Sequence, residues 1–160
     1  MTPHIALYRG VSLLSKAIRC FNWGPYSHAS WLTADGTEIE AWRKGVTESP
    51  GIGSQHTPGT RIDLFTVAGL TTDLRAAADA AMRASVGLRY DWLGILGFLA
   101  RARCQREGRL FCSELVFSRL DRVGLPLLKR VPSFKVFPAL LSYSPLLTLT
   151  GTVFTPKAPQ

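Results

Sequence analysis

The amino-acid sequence predicts a mixed α+β domain with an antiparallel sheet. Three observations carry that expectation. Short runs with strand alternation occur at 27–33 (SHASWLT), 37–42 (TEIEAW) and 61–67 (RIDLFTV). They are interspersed with runs of helical period at 11–21, 72–85 and 112–123. The first two strand runs flank Asp35-Gly36, a strong short-range hairpin signal that makes their pairing antiparallel. A length of 160 residues suits one domain over 1–160, and 46% hydrophobic against 19% charged residues supplies a core.

In the first helix, Leu14, Ala17, Ile18 and Phe21 share a face opposite Lys16 and Arg19, and Asn22, Gly24 and Pro25 end it. Residues 47–60, crowded with Gly, Pro, Ser and Thr, read as a loop. Thr72 can cap the second helix, alanines fill it, and Gly87 stops it. The apolar stretch 91–100 reads as a short buried helix or a loop. The helix 112–123 turns Leu115, Val116, Leu120 and Val123 inward and closes at Gly124 and Pro126. The remainder is strand and loop, with a frayed tail expected from about residue 155.

Nineteen Lys and Arg against eleven Asp and Glu leave a net charge of +8. The charge is densest at Arg101, Arg103, Arg106 and Arg109. Such a cluster is either a solvated loop or a patch for an anionic partner, such as a cell envelope or a membrane surface. Nucleic acid fits less well, because the aromatic residues do not interleave with arginine as a stacking platform requires. Three cysteines are an odd number and no disulfide framework, which fits a reducing compartment. The longest apolar run, 92–100, is far short of the roughly 20 residues of a membrane span. The N-terminus lacks the layout of a signal peptide, so the chain is expected to be cytoplasmic as synthesised.

Cys112 opens the third helix. There, unpaired N–H groups and the positive end of the helix dipole favour thiolate, and the same N–H groups can hold an oxyanion. Its structural alternative is a small buried hydrophobe. His28 lies near the start of a strand, where most histidines simply pack. The partner strand changes its standing. With the turn closed around residues 34–36, Ser30 opposes Glu40, and Glu40 becomes a diagonal neighbour of His28 on one face. A carboxylate there can fix the imidazole tautomer, as the acid of a Cys–His–acid triad does. Glu38 is the fallback should the register shift. Cys20, on the inner side or border of the first helix, and Cys104 read as non-catalytic. His56, in a Gln-His-Thr-Pro loop, is expected in solvent. His4, His28 and His56 lack ligand spacing, so no metal and no cofactor is expected.

The blocks YSHASWL, DGTEIEAWRKGV, YDWLGILGF and FCSELV resemble the circularly permuted branch of the NlpC/P60 papain-like cysteine hydrolases. The YiiX/YaeF-type proteins belong to that branch, and the lecithin retinol acyltransferase group is a more distant relative. The resemblance covers residues 8–120, with His28 preceding Cys112 in the permuted order. It implies a permuted papain-like fold in which Cys112 is the nucleophile, His28 its base and Glu40 the orienting acid. It also implies that Tyr26 and Tyr90 line a substrate pocket. Ser113 and Glu114 are expected to cap the helix rather than react.

The implied chemistry is acyl transfer without a metal. The substrate would be a cell-wall peptide, with the protein acting as a phage lysin, a virion component or a delivered effector. One alternative is a lipid thioesterase or acyltransferase with the same site. Another is a non-catalytic papain-like structural or binding module, such as part of a phage particle. The family's cell-wall enzymes act outside the cytoplasm or carry a targeting domain. This chain shows neither, and that leaves the substrate open.

Overall fold

The Asp35-Gly36 hairpin forms as expected, with Gly36 in the left-handed region at φ +87°. The computed structural model describes residues 2–42, 44–90 and 109–156. In chain order it contains β1 (Ile5–Arg9), α1 (Leu13–Phe21), β2 (His28–Leu32), β3 (Thr37–Trp42), β4 (Gly45–Pro50) and β5 (Arg61–Val67). There follow α2 (Thr72–Arg83), β6 (Arg89–Tyr90), β7 (Arg109–Leu110), α3 (Cys112–Arg122), a 3-10 turn (Ser133–Lys135), α4 (Pro138–Leu141) and β8 (Leu147–Phe154). Six strands make one sheet in the order β4-β3-β2-β1-β5-β8, every neighbouring pair antiparallel. The short β6 and β7 pair in parallel beside it.

Strand alternation divides the sheet into two faces. One carries Ile5, Leu7, Ala29, Trp31, Ile39 and Ala41, all fully buried against α2 and α3. From α3 come Leu115, Val116 and Leu120, the inward positions expected, while Val123 is partly buried. Trp31 anchors this layer: its indole N–H donates to Asp79 on α2 at 2.6 Å. The second face carries Ala6, Tyr8, Leu32 and Ile62 beside a row of polar side chains.

Several sequence expectations need correction. The run 5–9 carried no turn signal of its own, yet it is an interior strand bonded on both edges. Within 47–60, the expected loop begins as β4, which pairs with β3 through Pro50. Pro50 and Gly45 weaken the strand pattern, and an edge strand tolerates both. Thr71, not Thr72, caps α2, its hydroxyl accepting from the Leu74 amide. In α1 the expected inward face is only half formed. Phe21 and Cys20 are exposed, and the buried residue is Ser15. Thr155, where the frayed tail was to start, is buried and bonds to Thr57 and Thr60. The stretch 91–100 and the residues Arg101, Arg103, Cys104 and Arg106 lie outside the described residues.

Candidate active site

Because side chains alternate along a strand, His28 and Ser30 on β2 and Glu38 and Glu40 on β3 share the second face. The observed register, Trp31 opposite Ile39 and Leu32 opposite Glu38, is the one the hairpin turn implied. It sets Glu40 diagonal to His28, and the two side chains close that gap: His28 Nε2 lies 2.6 Å from Glu40 Oε2. A second histidine reaches the same oxygen. His56 Nε2 lies 2.8 Å from Glu40 Oε2, and the His56 ring stacks on Tyr8 at 4.3 Å. Trp42 closes the cluster, with its ring 4.9 Å from His28 and 5.4 Å from His56.

These bonds assign the tautomers. A carboxylate only accepts, so both Nε2 atoms carry the hydrogen, and His28 keeps Nδ1 for another partner. Among the described residues, Nδ1 of His28 and Oε1 of Glu40 are buried without a hydrogen-bond partner of regular geometry. Cys112, at the first position of α3 and buried, is the other group that acts on His28. Burial alone would lower the His28 pKa. The charge and hydrogen bonding of Cys112, then those of Glu40, raise it to about 10. Burial likewise opposes ionisation of Glu40, yet the two histidine bonds bring its pKa down to about 2. His56 is held below its ordinary value, chiefly by burial, so it is a neutral donor at neutral pH.

Glu38 is separate from this cluster. It accepts from the Tyr8 hydroxyl, from Ser30 Oγ at 2.5 Å and from the Gly53 amide at 2.8 Å. Burial, then the neighbouring charge of Glu40, pushes its pKa up to about 8. Its standing as a register-dependent fallback is corrected on geometric grounds. Two residues apart on one strand, Glu38 and Glu40 always share a face, and reach alone decides which one meets His28.

Other placements differ from expectation. His56 is not in solvent: its side chain is 6% exposed. The segment after β4 folds over the polar face to deliver it, with Gly53 at φ +74° packed so tightly that a Cβ would meet Ile62 at 2.6 Å. Among the described residues, Tyr26 is held by Asp63 and Phe65. It is buried, and its hydroxyl donates to Asp63 at 2.9 Å. Tyr90 sits in β6, and its side chain lies outside the described residues. Ser113 does not cap α3, because its hydroxyl donates to the Val136 carbonyl at 2.6 Å. The N-cap position is Phe111, without a side-chain cap bond.

The expectation of no metal-ligating set also needs revision. His28, Glu40 and His56 place three donor atoms within 4.8 Å of one another. Sequence spacing could not show this, because a strand, a second strand and a loop supply one donor each. Two imidazoles and a carboxylate are a donor set that suits Zn²⁺, and the unpartnered Oε1 of Glu40 is a further oxygen for it. A cleft of about 360 Å³ leads to this cluster, lined by His56, Trp42, Lys44 and Gln55 and by Ser12 and Ser15 of α1. A larger depression of about 490 Å³ beside Phe117 and Arg130 lies among neither these histidines nor Cys112.

No family model matches the chain, and no curated protein does. A solved structure does: the metalloprotein yiiX from Escherichia coli O157:H7. This chain has the fold of yiiX. The two share 18% identity with a TM-score of 0.67, covering 96% of this chain and 98% of yiiX. The yiiX likeness therefore spans the whole α+β unit, its six-stranded antiparallel sheet included. Among the described residues, no helix is long and apolar enough to cross a membrane.

Proposed function

We propose that the chain is a permuted papain-like cysteine hydrolase, an amidase or endopeptidase acting by acyl transfer on bacterial cell-wall peptides. One observation carries the reading: a buried Glu40 carboxylate takes His28 Nε2 at 2.6 Å, leaving Nδ1 for the Cys112 thiol at the start of a helix. Nδ1 takes the thiol proton and the sulfur attacks the substrate carbonyl. Free N–H groups in the first turn of α3 hold the oxyanion. The imidazolium then returns its proton to the leaving amine. Water, deprotonated by the same nitrogen, releases the acyl group and restores the thiol. Glu40 keeps the tautomer and offsets the imidazolium charge.

A specific observation favours lipid esters as a second substrate class. Beside the cleft, α1 turns Leu13 and Phe21 outward along with Lys16, and Trp23 just after it is 91% exposed. Apolar and basic groups side by side suit a membrane interface. The yiiX name also brings a metal into consideration. In this chain His28, Glu40 and His56 would hold it, and it would supply Lewis acidity at the end of the cleft.

The test is digestion of purified peptidoglycan and of phospholipid and thioester substrates, read by mass spectrometry. We expect release of peptide fragments by the wild type, none by Cys112→Ala, and unchanged thermal unfolding. Full turnover by Cys112→Ala would refute acyl transfer. Turnover of lipid esters alone would move the substrate to the second class.

A further inference from the structure

We propose that β8 is a dimerisation strand: two copies of this chain pair edge to edge through Leu147–Phe154, antiparallel about a two-fold axis, and join their six-stranded sheets into one. The two edges of the sheet are built differently. On the β4 edge the outer groups are engaged, since the Val46 amide donates to the Leu88 carbonyl at 2.8 Å and the Gly87 amide to the Val46 carbonyl at 2.9 Å. That strand also carries Glu48 and ends in Pro50. β8 has none of these devices: among the described residues it pairs with β5 alone, and most of its length is exposed. No Asp, Glu, Lys or Arg lies between Lys135 and Lys157, in a chain that is 19% charged. Exposed edge strands ordinarily carry charges or proline that turn a second strand away. Here Leu149 and Phe154 stand 53% and 63% exposed instead.

The strand suits its own copy, and its bulge fixes the register. Leu149 faces Phe65 and Gly151 faces Leu64, so Thr150 is an extra residue and the side-chain alternation shifts by one there. Leu147, Leu149, Thr152 and Phe154, opposite Val67, Phe65, Asp63 and Arg61, therefore share the helix side of the sheet. Thr148 and Val153, opposite Thr66 and Ile62, share the other side. An antiparallel copy centred between Thr150 and Gly151 sets Phe154 opposite the partner's Leu147 and diagonal to the partner's Leu149. Thr148 then meets the partner's Val153. Facing residues lie on the same side of the sheet, the exposed apolar groups cover one another, and two copies of charge +8 meet through an uncharged seam. Beyond Phe154 the chain reaches the wall of the cleft. The Thr155 amide donates to the Thr60 carbonyl at 3.0 Å, its carbonyl accepts from the Gly59 amide at 3.2 Å, and its hydroxyl accepts from the Thr60 amide at 2.9 Å. Thr60 and His56 both line the cleft. Pairing at β8 thus braces the strand whose end anchors the segment that delivers His56.

The experiment is sedimentation equilibrium of the full chain. An edge seam is a small interface, so we expect reversible dimers with a dissociation constant on the order of 1–100 μM. Leu149→Lys and Phe154→Lys, both at exposed positions, should unfold thermally close to the wild type. Each should weaken the dimer at least about tenfold, because it sets two lysines into an apolar seam. Phe21→Ser, on the exposed apolar face of α1, should dimerise as the wild type does. With Cys20 and Cys104 changed to serine, Thr148→Cys combined with Val153→Cys should oxidise to a covalent dimer that Thr148→Cys alone does not form. Hydrogen exchange above and below the dissociation constant should show the amides of 147–154, and with them those of Gly59 and Thr60, slowed in the dimer. A chain that stays monomeric to about 500 μM overturns the proposal and leaves the edge to a strand of another protein. Dimers indifferent to both lysine variants, or lost in Phe21→Ser, overturn β8 as the seam. Dimers whose paired cysteines fail to cross-link overturn the register, and unchanged exchange at Gly59 and Thr60 overturns the brace.

Discussion

Replacing Glu40 by Gln removes one charge from the interior without changing side-chain size, and its effect can be worked from the geometry. The carboxylate is fully buried and takes two histidine N–H bonds, at 2.6 Å and 2.8 Å. Burial pushes its pKa up, the two bonds pull it down, and the balance falls from the ordinary value of 4.5 to about 2. At about 1.4 kcal/mol per pH unit, that displacement corresponds to roughly 3 kcal/mol of folding stability. The raised pKa of His28 is owed first to Cys112 and then to this same bond, and it is not added. A carboxylate with a depressed folded-state pKa stabilises above its unfolded value and loses that contribution as pH falls through the folded value. The wild type should therefore lose about 3 kcal/mol more than Glu40→Gln between about pH 5 and pH 2. Urea unfolding of both proteins at half-unit pH intervals measures the difference. Parallel curves across that window would refute the claim that the histidines hold Glu40 ionised.

Glu38→Gln should act at the other end of the pH scale. With a folded pKa raised to about 8, Glu38 costs stability progressively as pH rises from its unfolded value toward 8, so the variant should gain on the wild type there. The same urea series reads it, and a variant no better at pH 8.5 than at pH 5 would contradict a buried, protonated Glu38. In turnover the order reverses: Glu40→Gln should be the slower enzyme, because only Glu40 touches His28. Equal losses in the two variants would dissolve that distinction. Asp79→Ala should destabilise by about 2–3 kcal/mol, since it strands the buried Trp31 indole N–H and also removes the acceptor of the Ala34 amide. Thermal unfolding checks it, and a change under about 0.5 kcal/mol would show that Trp31 is held by packing alone.

The hairpin was the most legible part of the chain. Asp35-Gly36 set the turn, the turn set the register, and the register alone put Glu40 within reach of His28. The helices from 72 and from 112 were legible because their apolar spacing matches the faces they bury. What escaped were residues whose roles depend on contacts distant in sequence. The strand at 5–9 has no turn or cap to mark it, and it is defined by its neighbours on both sides. His56 sits in a segment that reads as solvated loop. Only the close packing of Gly53 on Ile62, and the bond from its amide to Glu38, show that the segment is pinned over the polar face. Tyr26 is a further case of a contact distant in sequence. The resemblance placed it at a pocket, and the fold adds a contact the sequence did not show: its hydroxyl donates to Asp63 in the strand beyond β1. Cys112, His28 and Glu40 were visible in the motifs and the turn; His56 and Trp42, the further members of the cluster, needed the fold.

The most direct test of the account is the rate of iodoacetamide alkylation of Cys112 as a function of pH, in wild type and in His28→Ala. Peptide mass spectrometry separates Cys112 from exposed Cys20 and from Cys104. An imidazole oriented by Glu40 and facing the thiol predicts labelling that persists below about pH 6 in the wild type. That labelling should fall by at least about tenfold in His28→Ala. Labelling that appears only near about pH 8.5 in both proteins, or none in the folded state, would contradict an activated pair and leave Cys112 a buried structural residue.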